Sequence, residues 1–540
     1  MDAASPFTRS HVIRGLLAGF WFVLFAIFFA LRFDASERTY FQIDDQVVVW
    51  LVDDAVDNGN WQPDWYRVTN KAKDNPGYIE AENKKNEDFS HEHHYNFSAH
   101  MLLSAAIIKP LRLLGITTPT IVLLHHIALL WDTLSLLLLV AAARQLGGLQ
   151  LALCSAIIYT VFPLAVQGSH YARPDAFLTA MSSAVLLLAL QKNSATQKGI
   201  AHWRWLLANG LILGLAVGGK ASQLMLGIFP ALASASVLLN RQAWRIKTFS
   251  RIALDGITLL ALIAIVLMLM FFIGDMSVKD FWLSIQIIQQ YYQHPRPPDT
   301  LEHYSFGAQL LKILHYFYVI LGWPLAIALF AGAISLTRKN DKLPLLLLTA
   351  PLVFFILYFA SLPAFFDRSF GGLTAAIVLL AAIGINTITN SIRALPAKFF
   401  FTVLVTVLAC WKPIVIQYHL QTQHLRSHFN DERLAFQKKL KEDWTTKTGT
   451  DYWIKNIDSQ DLFSQTLPEK PPKNPRIYVA EDMNDWNSRA YLQKLRDNGF
   501  VEIAKFDGDF ADMPTNSLIT VHEAAHFVYF VRADETVYKP

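Results

Sequence analysis

The chain has 540 residues, of which 53% are hydrophobic, 13% aromatic and 17% charged, and its formal net charge at pH 7 is +4. The charged residues gather between apolar stretches of about 20 residues, the length that crosses a bilayer as a helix, which excludes an ordinary soluble protein. No basic tract stands out, which excludes nucleic acid as the expected partner. Cys154 and Cys410 both lie in apolar runs, so disulfides play no part in the expected fold.

The first apolar run, from Leu16 to Leu31, follows Arg9 and Arg14 as the apolar part of a signal peptide would. It continues into Arg32 without the small-residue pattern of a cleavage site. The sequence therefore predicts an uncleaved first span.

About eleven membrane spans are predicted, and the positions of Lys and Arg test them, because short cytoplasmic loops retain positive charge. The spans are 14–32, 119–143, 149–168, 175–191, 205–219, 221–239, 252–274, 306–336, 343–361, 371–389 and 399–418. With the N-terminus in the cytoplasm, the basic short loops at 144, 192–204, 241–251, 338–342 and 393–398 all fall inside. The odd number of crossings then places residues 33–118 and 419–540 outside.

The first outer loop, residues 33–118, is long and mostly polar. It ends in the amphipathic stretch His100–Leu114, which is too short and too charged to span the membrane comfortably. This stretch predicts a helix that lies in the membrane interface.

The tail after residue 419 has a different character. A charged stretch at 425–445 predicts a helix, prolines from 468 to 475 mark a linker, and a further helix is predicted from Trp486 to Arg496. The apolar run 476–479 and strand-like runs at 500–506, 517–522 and 526–532 complete a small α/β domain. The predicted fold is thus an all-α polytopic membrane domain, 1–420, with a small extracytoplasmic α/β domain, 421–540.

Charges at the predicted outer ends of spans are informative, because a buried ion is costly unless it has a partner or a role. Asp44 and Asp45 follow the first span and precede the apolar run 47–52. Such a pair can deprotonate a hydroxyl or hold a divalent cation. On spacing alone, a solvated helix start, where aspartate caps the helix, is favoured over such a role.

Three cations also lie on the predicted outer side, against the charge pattern of the other loops. They are Arg173, in a tight turn before Asp175, then Lys220 after two glycines, and Arg368. An arginine there is suited to a forked pair of hydrogen bonds with phosphate. Ordinary alternatives exist: Asp175 can cap the next helix, Lys220 can extend to the interface, and Asp367 can neutralise Arg368. Their common side predicts one anion-binding site.

The histidine-rich tract at 91–94, with His100 and His170 as further members, resembles a metal-binding sequence. Its spacing is not that of a structural zinc site and no cysteine contributes, so a polar loop near lipid headgroups is favoured. His125 and His126, inside the second span, are predicted to be packed or hydrogen-bonded. No metal site is predicted here.

These motifs, in this order, resemble the GT-C superfamily of membrane glycosyltransferases over residues 12–420, in the family 39-like branch of protein O-mannosyltransferases and lipid A aminoarabinose transferases. The matching stretches are Asp44-Asp45, 58–63, 94–97, 143–147, Arg173 with Asp175, Gly214 to Ser222, and Arg368. Two features depart from the family: Asp45 replaces the usual glutamate, and the usual His-Pro-Pro is absent.

The resemblance implies transfer of a hexose or pentose from a polyprenyl-phosphate donor to a lipid, glycan or protein acceptor at the outer face of a bacterial inner membrane. It implies a single inverting displacement, with Asp44 or Asp45 as general base and the other residue orienting it or holding a divalent cation. Lys220, Arg173 and Arg368 would bind the donor phosphate. Asp175, His94 and Tyr95 would bind substrate.

Two other classes of protein stay open. A transporter or flippase of a lipid-linked or anionic solute would favour ionisable residues in mid-span and repeated halves, whereas these charges lie at span ends and no repeat is visible. A non-catalytic scaffold with an outer binding domain would leave the carboxylate pair unexplained.

Overall fold

The structure, a computed structural model, describes residues 6–36, 43–65, 95–96, 98–198, 201–239, 244–293, 303–339, 341–390, 395–425, 439, 453–457, 476–482, 486–507 and 526–532. Packing divides the chain into two units. One comprises 1–289, 317–356 and 368–417, and the other comprises 290–316, 357–367 and 418–540. The predicted domain boundary after residue 420 stays a prediction.

The first half of the chain is helical wherever it is described. Its helices are α1 (Pro6–Ser36), α2 (Ile43–Asp57), α3 (Ser98–Leu113), α4 (Thr120–Val161), α5 (Pro163–Ser169), α6 (Asp175–Lys198), α7 (His202–Gly219), a 3-10 helix (Ala221–Gly227), α8 (Ile228–Ala235), a 3-10 helix (Ser236–Leu239) and α9 (Ile246–Ile273).

Helices continue to residue 425. They are α10 (Val278–Gln293), α11 (Phe306–Arg338), α12 (Lys342–Ala360), a 3-10 helix (Asp367–Leu373), α13 (Thr374–Thr389), α14 (Leu395–Ala409) and α15 (Trp411–Leu425). Helix α3 confirms the predicted helix at 100–114, whereas α10 was not predicted.

Within the described ranges, seven helices are long and apolar enough to cross a membrane, and eight if α14 and α15, bent by 58°, form one span. Helix α4 has 42 residues, but its backbone is non-helical at Gly147 and Gly148, where φ is −153° and 74°. Two helices therefore meet there, as the predicted spans 119–143 and 149–168 require. The all-α membrane fold is confirmed, while the total of eleven spans stays a prediction.

Glycines allow two close helix pairs. Gly210, Gly214 and Gly218 recur every fourth residue on α7, and a Cβ at each would overlap Leu262, Val266 and Met270 of α9, which have the same spacing. A second crossing brings Gly332 of α11 against Gly384 of α13, with backbone facing backbone. Small residues at such crossings let membrane helices approach closely, since packing drives their association.

The tail contains a four-stranded sheet of β1 (Trp453–Ile457), β2 (Arg476–Asp482), β3 (Phe500–Asp507) and β4 (His526–Arg532), with helix α16 (Trp486–Asp497) between β2 and β3. The strand order is β1-β2-β4-β3, in which β1 and β2 are parallel and the other pairs antiparallel. Strands β3 and β4 cover two predicted strands, β1 was not predicted, and the predicted strand at 517–522 lies outside the described residues.

Candidate functional site

The predicted cation Arg173 lies in the tight turn between α5 and α6. Its side chain is almost completely buried, with the residue 3% exposed, and its guanidinium lies 4.4 Å from the centroid of the Tyr171 ring. Its Nε is 3.4 Å from Oδ2 of Asp175, the first residue of α6. Asp175 therefore begins a helix and pairs with Arg173, and the phosphate role of Arg173 and the substrate role of Asp175 stay predictions.

Two histidines hold this turn through backbone carbonyls. His100 Nε2 on α3 lies 2.8 Å from the carbonyl oxygen of Ala172, and His170 Nε2 lies 3.1 Å from that of Leu31 at the end of α1. Because a carbonyl only accepts, both Nε2 atoms carry the proton. Burial lowers the pKa of His100 to about 4, so this imidazole stays neutral at physiological pH.

No group of three His, Cys, Asp or Glu side chains suited to a metal occurs among the residues that the structure describes. The histidine tract at 91–94, which includes the predicted substrate residue His94, lies outside them.

Lys220 lies where α7 ends and the backbone becomes extended, with φ −162° and ψ 121°. The glycines before it permit a close approach to neighbouring helices. A Cβ at Gly219 would lie 2.9 Å from the Phe177 ring and 3.0 Å from Leu178, both in the first turn of α6. Lys220 is thereby positioned next to the helix that begins two residues after Arg173.

Arg368 lies half-buried in the 3-10 helix Asp367–Leu373. This turn contacts helix α6, which follows Arg173, and the 3-10 helix that follows Lys220. Thr179 Oγ1 on α6 donates to the carbonyl oxygen of Gly371 at 3.5 Å. A Cβ at Gly372 would lie 3.0 Å from Oε1 of Gln223, three residues after Lys220. The three turns that carry the predicted phosphate ligands are therefore packed against one another.

The predicted acidic pair, Asp44 and Asp45, lies in the first turn of α2, although neither side chain belongs to the described part of the structure. Helix α2 packs along α3. Near the C-terminal ends of both helices, Asp53 accepts a hydrogen bond from Thr120, whose hydroxyl accepts one from Arg112 at 3.0 Å. Because α2 and α3 have their C-terminal ends close together, they run in the same direction. The first turn of α2 therefore extends toward the N-terminal end of α3, which carries His100.

The same cluster carries a perturbed carboxyl group. Burial raises the pKa of Asp53, while the hydrogen bond from Thr120 partly offsets this.

Tyr95, predicted to bind substrate, is buried in the outer loop. Its backbone N–H donates to Ser284 Oγ of α10 at 2.9 Å, and its hydroxyl oxygen accepts from Gln62 Nε2 at 3.0 Å. Burial raises the pKa of its hydroxyl to about 12. These contacts tie the first outer loop to α10, and a substrate contact stays a prediction.

Sequence reasoning missed a buried ion pair between Arg32 of α1 and Asp132 of α4, which also accepts a hydrogen bond from the Tyr159 hydroxyl. Helix α4 ends here before Pro163, which has no N–H, and the Phe162 N–H donates to the Tyr159 carbonyl at 3.2 Å. Arg32 donates to this carbonyl at 3.4 Å and to that of Thr160 at 3.0 Å. The guanidinium thus caps the broken end of α4, and Asp132 neutralises it.

A second missed cluster ties the other ends of α6, α7, α8 and α9 together. Asp255 lies 3.3 Å from Lys192 Nζ and 2.8 Å from His202 Nε2, and Ser234 bonds to both Asp255 and Lys192. Lys192 also lies 4.1 Å from the centroid of the Trp205 ring. The positive-inside pattern placed these residues at the cytoplasmic side but could not indicate the partner of Lys192.

Residues 111–271 match the family model described as dolichyl-phosphate-mannose-protein mannosyltransferase. No match is found among curated protein sequences.

Three solved structures are similar to this chain. The crystal structure of ArnT from Cupriavidus metallidurans bound to undecaprenyl phosphate has 12% sequence identity and a TM-score of 0.50, over 97% of this chain and 99% of that chain. The apo state of that ArnT has a TM-score of 0.47 at 12% identity, over 98% and 100% of the two chains.

The oligosaccharyltransferase of Archaeoglobus fulgidus, in complex with zinc and sulfate, has a TM-score of 0.47 at 12% identity, over 84% of this chain and 57% of that chain. The predicted resemblance is confirmed at the level of the fold: this is an integral membrane chain with the fold of ArnT, and its residues 111–271 match the mannosyltransferase family model.

Proposed function

We propose that this protein is a glycosyltransferase that moves a sugar from a polyprenyl-phosphate donor to an acceptor at the predicted outer face of the membrane. The observation that carries the proposal is the packing of the turns of Arg173, Lys220 and Arg368 against one another. A leaving polyprenyl phosphate needs such cations, since they stabilise the charge that develops on its oxygens. The ArnT structure, bound to undecaprenyl phosphate, provides a precedent for this lipid on the same fold.

The acceptor hydroxyl must lose its proton as it attacks the anomeric carbon, and a positioned carboxylate is suited to take it. We assign this role to Asp44 or Asp45, whose helix α2 extends toward the turn of Arg173. The attack breaks the bond between the anomeric carbon and the phosphate oxygen in one displacement, which inverts the anomeric centre. The second carboxylate orients the first or holds a divalent cation, for which carboxylate oxygens are suitable ligands.

The test uses purified full-length protein, a panel of radiolabelled polyprenyl-phosphate hexoses and pentoses, and membrane extracts as acceptor source. We expect a labelled product from one donor class. Asp44→Asn or Asp45→Asn should lower transfer by at least ~100-fold while the protein remains folded, the usual contribution of a positioned base. Glu37→Gln, a change of an acid seven residues before Asp44, is the control and should leave transfer unchanged.

Near-normal transfer by both aspartate variants would disprove the assignment of the base. Movement of intact donor across vesicle membranes without any sugar transfer would instead support a transporter or flippase.

A further inference from the structure

The first turn of α3 contains a buried histidine to which the proposed mechanism assigns no role. His100 is 1% exposed, so it cannot touch a substrate from its place in the fold. Its Nε2 donates to the carbonyl oxygen of Ala172 at 2.8 Å, and this carbonyl belongs to the peptide group that joins Ala172 to Arg173. The bond therefore attaches α3 to the backbone immediately before a predicted phosphate ligand.

The same turn of α3 also packs against the end of α7, which leads into Lys220. A Cβ at Gly218 would lie 3.3 Å from the Cβ of Ala99, the residue before His100. Ala99 is buried, and this separation is tighter than most Cβ contacts, so a side chain at Gly218 would press on α3. Adjacent residues of α3 thus contact the chain one residue before Arg173 and two residues before Lys220.

Phe177, in the first turn of α6, connects these two contacts. Its ring centroid lies 6.0 Å from that of His100, and its Cε1 would lie 2.9 Å from a Cβ at Gly219. Phe177 is completely buried. The two rings therefore form a packed row from α3 to the residue immediately before Lys220. Because protein interiors are close-packed and transmit strain, a shift of α3 would displace the backbone at both cations.

Building on the proposed function, we infer that His100 is a positioning residue, which fixes the spacing between the backbone at Arg173 and the backbone at Lys220 so that both cations bind one phosphate. Forked hydrogen bonds to phosphate depend on geometry. A displacement of about 1 Å, caused by a residue that never touches the substrate, is enough to weaken such contacts. The hydrogen bond of His100 thus contributes to donor binding as well as to the stability of the fold.

The test measures the dissociation constant of purified full-length protein for polyprenyl phosphate without a sugar, the group that both cations are proposed to bind. His100→Met keeps a side chain of similar size but has no donor. We expect roughly three- to tenfold weaker binding, because a charged contact is displaced rather than lost. His100→Gln places an amide donor near Nε2. Since Nδ1 has no hydrogen-bond partner in the described part of the chain, this variant should bind like the parent.

A double-mutant cycle with Lys220→Gln separates positioning from a purely structural role. If His100 sets the spacing between two cations, its replacement should matter little once one cation is absent, so the losses in His100→Met and Lys220→Gln should not add. Trp205→Phe is the matched control, because Trp205 Nε1 is a buried ring N–H that donates to the Leu188 carbonyl at 2.8 Å. Its loss should reduce the free energy of unfolding and leave polyprenyl phosphate binding unchanged.

A second pair of variants gives the test if His100→Met does not fold. Gly218→Ala presses on Ala99 of α3 as well as on the flexible end of Met270, whereas Gly210→Ala meets only Leu262 of α9. We expect Gly218→Ala to weaken polyprenyl phosphate binding more than Gly210→Ala does. Equal binding by these two variants would contradict the inference.

If the parent does not bind polyprenyl phosphate, or Lys220→Gln binds it as well as the parent does, the proposed phosphate site is wrong and this inference falls with it. If Lys220→Gln weakens binding while His100→Met binds like the parent, the inference alone is wrong. It is also wrong if the losses in the two variants simply add, since His100 would then only stabilise the fold.

Discussion

Two lysines at the ends of consecutive helices have opposite surroundings. Lys192, on α6, is neutralised by Asp255 at 3.3 Å, bonded to Ser234 at 2.6 Å and packed on Trp205. Lys220, which follows α7, has no ion pair in the described part of the chain, although it is half-buried among glycines. A partly buried cation without a protein anion is costly unless a ligand supplies the charge. Lys192 therefore has its counter-charge within the fold, whereas a phosphate role for Lys220 stays a prediction.

The largest effect is expected where a charge is most deeply buried, at the Arg32–Asp132 pair, both of whose side chains are 0% exposed. Asp132→Ala leaves the guanidinium unpaired and should lower the free energy of unfolding by about 3–5 kcal/mol. Unfolding in detergent measures this.

Asp255→Ala is the matched control for that change, because its partners Lys192 and His202 retain 19% and 35% side-chain exposure. Asp255→Ala should lower the free energy of unfolding by less than Asp132→Ala, because water can solvate the lysine that remains. A larger loss in Asp255→Ala than in Asp132→Ala would contradict the ranking of the two pairs.

The buried imidazole of His100, which bonds to the turn of Arg173, should make the free energy of unfolding depend on pH. Its pKa falls from an ordinary 6.5 to about 4 in the folded protein. Between these values the unfolded chain binds a proton that the folded protein does not, so stability falls as the pH falls from 6.5 to 4. The loss amounts to about 3 kcal/mol.

The melting temperature should therefore fall as the pH is lowered across this range. His100→Gln should abolish this fall, whereas His202→Gln, a change in the Asp255 cluster, should not. An identical pH profile for the parent and His100→Gln would disprove the assignment.

The two lysines themselves give the most direct test of the comparison. Lys220→Gln should slow transfer or weaken donor binding by roughly tenfold to a hundredfold, because charge-assisted contacts to phosphate contribute about 1.5–3 kcal/mol. Lys192→Gln should instead reduce stability and leave transfer per folded molecule near normal. Activity and unfolding measured on the same samples distinguish these outcomes, and the reverse pattern would remove Lys220 from the phosphate site.

The smallest effect is expected for Arg173→Lys, which keeps the charge but loses the forked geometry. We expect about a tenfold loss in transfer, the value of one charged hydrogen bond. Arg204→Lys, a change of an exposed arginine on α7, serves as control. Equal activity of Arg173→Lys and the parent would indicate that Arg173 serves only to hold Asp175.

Much of this arrangement could be predicted from local sequence. Helices α3, α6 and α7 could be predicted from apolar runs and from the charged residues at the ends of those runs. Arg173, Lys220 and Arg368, which depart from the positive-inside pattern, lie in turns that pack together in the structure. Pairings between distant residues could not be predicted, because nothing local to Arg32 indicates an aspartate 100 residues later.

The distance along the chain between Arg32 and Asp132 has a consequence for biosynthesis. At about 5–20 residues per second, the ribosome adds Asp132 roughly 5–20 s after Arg32. During that interval α1 is inserted with an arginine at its end that has no partner yet, so the interface must solvate it. The ion pair between α1 and α4 can form only after Asp132 has been synthesised.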